Sequence, residues 1–210
     1  MTTLQIKSLQ IFRDNSPLIS LNETINGGDV LTIMGPSGSG KSTLLNWVSG
    51  MLPDAFSATG NLYFDNTNIT NIASYKRKMG LLYQDALLFP HLTVAGNIAF
   101  AMPKEQQQGR EAMIKQALLD VGLEGLENRQ PESLSGGQQA RIALLRVLLS
   151  QPKAILLDEP FSKLDSQLRQ DVRQLVFEQI RHHQLPAIMV THDLADAEAA
   201  KGKIVRLESL

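Results

Sequence analysis

The sequence predicts an α/β fold: a buried parallel sheet flanked by helices, with a separate antiparallel part at its start and a helical insertion in its middle. Two observations lead there. Apolar runs stand at "VLTIM" (Val30–Met34), "AILLD" (Ala154–Asp158) and "AIMVT" (Ala187–Thr191). Runs that are apolar without alternation suit strands covered on both faces, as parallel strands are. Helical patterns also alternate with these runs, which is the arrangement of a doubly wound sheet.

Each element follows in order. "LQIKSLQIF" and "GNLYFDN" read as strands of the antiparallel part. "KSTLLNWVSG" follows the first buried run and reads as a helix closed by Gly50. "MGLLYQ" (Met79–Gln84) is a further strand. From about Asp85 to Gln151 the pattern is mainly helical, including "REAMIKQALLDVGL" and the run Gln139–Leu149. Leu168, Val172, Leu175, Val176 and Ile180 recur at helical spacing, which gives one apolar face. The expected organisation is a single domain, 1–210, with a core at about 1–84 and 152–210 and a helical subdomain at about 85–151. "KEQQQGRE" reads as a solvated loop and helix start, and "HH" at His182–His183 as a solvated helix end.

Composition narrows the function. The chain of 210 residues carries a formal net charge of −1, which argues against a basic stripe for nucleic acid. It has no cysteine, so disulfides and thiolate metal sites are excluded and a reducing compartment fits. "MTTLQIKSLQ" has no apolar core of a signal peptide. No stretch approaches the ~18 uninterrupted apolar residues of a membrane span.

The chemistry begins at "GPSGSGKST". Gly35, Pro36, Ser37, Gly38, Ser39, Gly40, Lys41 and Ser42 fit G-x-x-x-x-G-K-[ST], followed by Thr43, with a strand before and a helix after. The glycines let inward N–H groups wrap a phosphate. Lys41 reaches the β- and γ-phosphates, and Ser42 offers its hydroxyl to Mg²⁺. Asp158 and Glu159 sit at the carboxyl end of a buried strand, the edge where nucleotides bind in such sheets. There Asp158 is suited to hold Mg²⁺ and Glu159 to polarise an attacking water. Gln84 and His192 end two other apolar runs, so both point to the same edge. Gln84 is placed to sense Mg²⁺ or the water, and His192 to hydrogen-bond the γ-phosphate. A second glycine-rich helix start, "LSGGQ" (Leu134–Gln138), has the free N–H groups of an anion site but no lysine.

The ordered set "GPSGSGKST", "YQDALLFPHLT", "LSGGQ", "AILLDEPFSKLD" and "VTHD" resembles the ATPase subunit of ATP-binding-cassette transporters over nearly the whole chain. "QDALLFPHLTVAGNIAF" looks most like bacterial importers for small solutes or inorganic ions. The resemblance implies a P-loop NTPase (RecA-like) core, with ATP and Mg²⁺ as cofactors. It implies two copies packed head to tail, each closing Ser135, Gly136, Gly137 and Gln138 over the ATP held by the other. It also implies integral-membrane permease partners, a solute-binding protein, and a peripheral position on the cytoplasmic face of the inner membrane. Phe12 matches an aromatic that stacks on adenine, and Asp165 a loop that faces the dimer partner. Leu87, Leu88, Phe89 and Pro90 are expected to help line a groove for a permease helix. Lys163 and Ala140 depart from the residues commoner there. With about 18 residues after His192, neither further strands nor a regulatory domain is expected.

Other readings differ in specific features. An exporter subunit shares the same motor. A chromosome or DNA-repair ATPase needs a long coiled coil between the first loop and "LSGGQ", but only about 90 residues separate them. A translation-factor cassette is normally duplicated in one chain. A regulator without turnover would lack Lys41, Glu159 or His192, and all are present.

Overall fold

The computed structural model describes residues 2–105 and 109–207. Gln106–Gln108 of the polar patch lie outside the described residues. The chain opens with two long strands, β1 (Thr3–Arg13) and β2 (Ser16–Asn26), paired antiparallel. Strands β3 (Val30–Met34), β4 (Phe56–Phe64), β5 (Thr67–Asn68) and β6 (Met79–Leu82) follow, with helix α1 (Lys41–Ser49) after β3 and helix α2 (Ser74–Arg77) before β6. Helices α3 (Val94–Ala101), α4 (Arg110–Asp120) and α5 (Gly136–Leu149) form the middle of the chain. It closes with β7 (Ala154–Asp158), α6 (Ser166–His182), β8 (Ala187–Thr191), α7 (Leu194–Ala200) and β9 (Ile204–Arg206).

Two sheets result. The antiparallel sheet has the order β2-β1-β4-β5, and the parallel sheet the order β6-β7-β8-β3-β9. The fold is thus α/β with both sheets and the helical middle that the sequence predicts. β2 was not anticipated. Its apolar residues alternate with exposed polar ones, and Pro17 stands near its start, so it has no continuous run. β9 corrects the expectation of no further strand after His192: it pairs in parallel with β3, matching Thr32 to Ile204 and Met34 to Arg206. A three-residue, half-exposed edge strand leaves almost no apolar signal.

The continuous runs are apolar because both faces are covered, and the faces alternate residue by residue. Leu31, Ile33, Leu156, Ile188 and Val190 join β1, β2, β4 and α1 in one cluster. Val30, Ile155, Leu157, Ala187 and Met189 turn the other way, onto α5 and α6, where Phe161 meets Phe177 edge-on at 5.8 Å. Each Val, Leu, Ile, Met or Phe side chain among them contributes about 1.5–3 kcal/mol when removed from water. A third cluster joins α3, α4 and one face of α5 through Val94, Ile98, Ile114, Leu118, Ile142 and Leu145. The opposite face of α5 (Ala143, Leu144, Val147) belongs to the second cluster, so this helix is a wall shared by two cores.

Arg77 fixes the far end of α1. Its buried guanidinium donates to the carbonyls of Trp47 and Val48 at 2.8 and 2.9 Å, and to those of Ile72 and Thr70. The last carbonyls of a helix lack partners within it, and a cation there also complements the helix dipole.

Candidate functional site

The strand order gathers the chemistry. Four neighbouring strands, β6, β7, β8 and β3, run parallel with nearly flush carboxyl ends: Leu82 pairs with Leu157, Asp158 with Val190, and Met34 with Thr191. Gln84 follows the first of them. Asp158 and Glu159 end the second, His192 follows the third, and Gly35 opens the loop after the fourth. Residues more than 100 positions apart in sequence therefore meet at one sheet edge.

The loop after β3 curls back on itself. Gly40 caps α1 at φ 89°, a left-handed conformation that glycine adopts without strain, and no side chain caps the helix start. The first-turn N–H groups of α1 thus face outward with the positive end of the helix dipole. Lys41 is buried, and its ammonium donates to the carbonyls of Gly35 and Pro36, each at 2.9 Å. Ser39 is also buried, and its hydroxyl has no partner among the described residues. A cavity of about 300 Å³ opens here, lined by Ser37, Gly38, Gly40, Lys41, Ser42 and Thr43 of the loop and by Glu159.

The carboxylates stand beside it. The Ser42 hydroxyl donates to Asp158 Oδ1 at 3.2 Å. Burial pushes the Asp158 carboxyl above its usual range. The Ser42 hydrogen bond opposes that shift, the Glu159 charge adds to it, and Lys41 opposes it again. A half-buried carboxylate beside a hydroxyl is the oxygen donor set that suits Mg²⁺, which takes one or two protein oxygens and completes its shell with water and phosphate. Glu159 has φ 45°, unusual for a residue with a side chain, and its N–H donates to Val190 O at 3.0 Å. Backbone held in this region costs energy and concentrates at functional sites. His192 Nδ1 lies 3.2 Å from Glu159 Oε2. Gln84 shares an open groove with Ser42, Asp158 and Glu159.

Other expected residues fall elsewhere. Phe12 does not line the cavity; Arg13, Leu18 and Phe56 do, and none of these three was singled out from the sequence. Neighbouring residues of a strand point to opposite faces, so Arg13 and Phe12 cannot both face the loop. Ser135 caps α5 and accepts from Gln138 N at 3.4 Å, while the Gln138 side chain accepts from Ser135 N at 3.0 Å. This reciprocal cap leaves Gly136 and Gly137 to supply the open N–H groups. Gly137 is buried, and a Cβ there would lie 2.3 Å from Leu168 of α6; Gly136 is exposed, with open space around it. Ser135, Gly137 and Gln138 line neither the loop cavity nor the groove. Gly136 instead lines a second, smaller cavity with Gln84, Asp85, Ala140 and Lys163. Lys163 pairs there with Asp85. Asp165 caps α6, accepting from Leu168 N at 3.1 Å. Of the apolar segment after Gln84, Leu87 is 58% exposed while Leu88 packs inward. Phe89 lies against Phe100 and Arg146.

The profile of the ABC transporter family matches residues 18–162, more than half of the chain. The chain belongs to the ABC transporter family. An uncharacterized ABC transporter ATP-binding protein of Escherichia coli, YnjD, is 46% identical over 93% of this chain and 91% of its own length. The thiamine import ATP-binding protein ThiQ of a Jannaschia species is 40% identical over 98% of this chain and 89% of its own. The spermidine/putrescine import ATP-binding protein PotA of Aggregatibacter actinomycetemcomitans is 37% identical over 97% of this chain, which spans only 55% of that relative. ABC ATP-binding subunits are ATPases, and this chain is one of them. Among the described residues no helix is long and apolar enough to cross a membrane.

Proposed function

We propose that this ABC ATPase drives a bacterial importer as a head-to-tail dimer. In this reading it docks peripherally on permease subunits at the cytoplasmic face of the inner membrane, and a solute-binding protein delivers the cargo. The observation that carries the reading is the division of the site. Gln84, Asp158, Glu159, His192 and the Lys41 loop converge on one sheet edge, while Ser135, Gly137 and Gln138 line neither the loop cavity nor the groove. The relatives named for import carry different cargoes, so cargo choice belongs to the permease and its solute-binding partner.

The residues divide the work as follows. The β- and γ-phosphates of ATP sit on the open N–H groups of α1, and Lys41 turns from the Gly35 and Pro36 carbonyls to the phosphate oxygens. Ser42, Asp158 and Gln84 would hold Mg²⁺ directly or through water, and its charge would offset the phosphate charge. Glu159 orients a water and takes its proton as the water oxygen bonds to the γ-phosphorus. The bond to the bridging oxygen breaks, and ADP and phosphate leave. His192, with Nδ1 beside Glu159 Oε2, stands within reach of the γ-phosphate. The partner's helix start at Ser135 and Gly136 covers the γ-phosphate, so ATP joins the copies and hydrolysis parts them. Asp165 stands at the same joint.

Mixed dimers test this arrangement. Gly136→Asp is the suitable block, because substitution at Gly137 drives into Leu168. Lys41→Ala on one chain and Gly136→Asp on its partner leave one intact shared site, so one ATP per dimer stays occluded. Both substitutions on one chain, paired with an unaltered chain, leave no intact site and no occlusion. The reverse ranking would overturn the shared site.

A further inference from the structure

His192 is held by its backbone rather than by packing. Its side chain is 60% exposed, and its Nδ1 lies 3.2 Å from Glu159 Oε2. The residues on either side are anchored firmly. The Thr191 hydroxyl donates to Asp196 Oδ2 at 3.4 Å and accepts from Asp193 N at 3.1 Å. Asp193 accepts from Ala195 N and Asp196 N, capping α7. The centre of this cluster is Asp196, whose carboxylate is 2% exposed. Arg169 of α6 grips it with two nitrogens, Nε at 3.0 Å and Nη2, and Nη2 also reaches Asp193 at 2.9 Å. Arg173 adds a contact to Asp196 at 3.2 Å.

We propose that Arg169 is a positioning residue for hydrolysis: it fixes the backbone that carries His192 and ties it to the start of α6. The proposal rests on the role given to His192 above. Two arguments support it. Two cations and two carboxylates largely removed from water are a poor source of stability compared with apolar packing, but a planar, two-pronged contact sets orientation. Arg169 also lies one turn into α6, its N–H donating to Asp165 O at 2.8 Å. Asp165 is the cap of that helix. A shift of the α6 start is thus delivered through one guanidinium to the residues flanking His192. Asp165 faces the partner copy in the proposed dimer, so the link lets formation of the joint set the place of His192.

The test is a kinetic double-mutant cycle in the full chain, using Arg169→Gln, His192→Ala and both together, read as steady-state phosphate release over a range of ATP concentrations. Arg169→Gln should lower kcat by about 10-fold with KM for ATP changed less than about 2-fold. In the His192→Ala background the same substitution should cost less than about 2-fold more, because its route is already gone. An equal loss in both backgrounds overturns the proposal and leaves the role of His192 standing. Normal turnover in His192→Ala alone overturns that role, and the proposal with it. Should Arg169→Gln not fold, Arg169→Lys keeps the charge without the fork. The cycle is then run with Arg169→Lys, together with the NMR signal of the His192 ring. A displaced ring signal and a lowered kcat support the proposal, and an unmoved signal with normal kcat overturns it.

Discussion

His192 Nδ1 lies 3.2 Å from Glu159 Oε2, although the two residues reach the site from different strands. The imidazole therefore touches the group proposed to take the proton. Glu159→Gln keeps shape and hydrogen bonding but removes the base. Turnover should fall at least ~100-fold, the loss expected for a general base, while ATP binding persists and ATP-bound dimers accumulate. Phosphate release and size-exclusion chromatography with ATP read the two effects. Near-normal turnover would remove Glu159 from that role.

Lys41→Ala acts at an earlier step. The lysine is buried and satisfied by two loop carbonyls, so it is already positioned for phosphate. Losing a charge-assisted contact of about 1.5–3 kcal/mol should weaken nucleotide binding by roughly 10- to 100-fold. Titration with a fluorescent ATP analogue checks this, and unchanged affinity would contradict it.

The two glycines of the α5 start should separate cleanly. Gly137→Ala forces a Cβ against Leu168 and should cost about 1–3 kcal/mol. Gly136→Ala meets open space and should stay within about 0.5 kcal/mol. Urea midpoints of the two variants decide the matter, and equal midpoints would refute the packing argument.

Acid stability should depend on Asp193. Burial works against its charge, but the Ala195 N–H, the Arg169 guanidinium, the Asp196 N–H and His192 together hold its carboxyl below the usual carboxylate range. A folded-state value below the unfolded one gives stability that is present above about pH 3.9 and is lost as the pH falls through the folded value. Asp193→Asn removes that contribution. The pH dependence of its unfolding midpoint below about pH 4 should be shallower than that of the parent, and parallel curves would refute the assignment.

Leu87 and Phe100 are 58% and 68% exposed beside the half-buried Phe89. Exposed apolar groups this close together mark a contact for a partner. Leu87→Asp and Phe100→Asp should leave ATP hydrolysis by the isolated subunit within about 2-fold and abolish ATP-driven uptake in vesicles containing the permease. Uptake at the parent rate would place the permease contact elsewhere.

Much of the fold was legible, for physical reasons. β3, β7 and β8 are buried on both faces, so burial wrote itself into their composition. The capped helices α1 and α6 announced themselves by a glycine stop and an apolar stripe. β2 and β9 were not legible, because β2 alternates apolar with exposed polar residues and β9 is only three residues long. The order β6-β7-β8-β3-β9 lay beyond reach as well, since strand adjacency depends on tertiary packing. Within the site, the loop and the strand-end residues could be read from spacing. Arg169 and Asp196 could not: they stand 27 positions apart, and nothing local marks them as a pair.

The shared wall made by α5 bears on how the chain matures during synthesis. When α3 and α4 have left the ribosome, the cluster they share still lacks one wall until α5 emerges. The other face of α5 then waits for β7 and α6, which come later still. The helical middle therefore closes its own cluster before β7 and α6, which cover the second face of α5, are available. A truncation that ends before β7 leaves the α3–α4–α5 cluster whole but strips the other face of α5 of its cover.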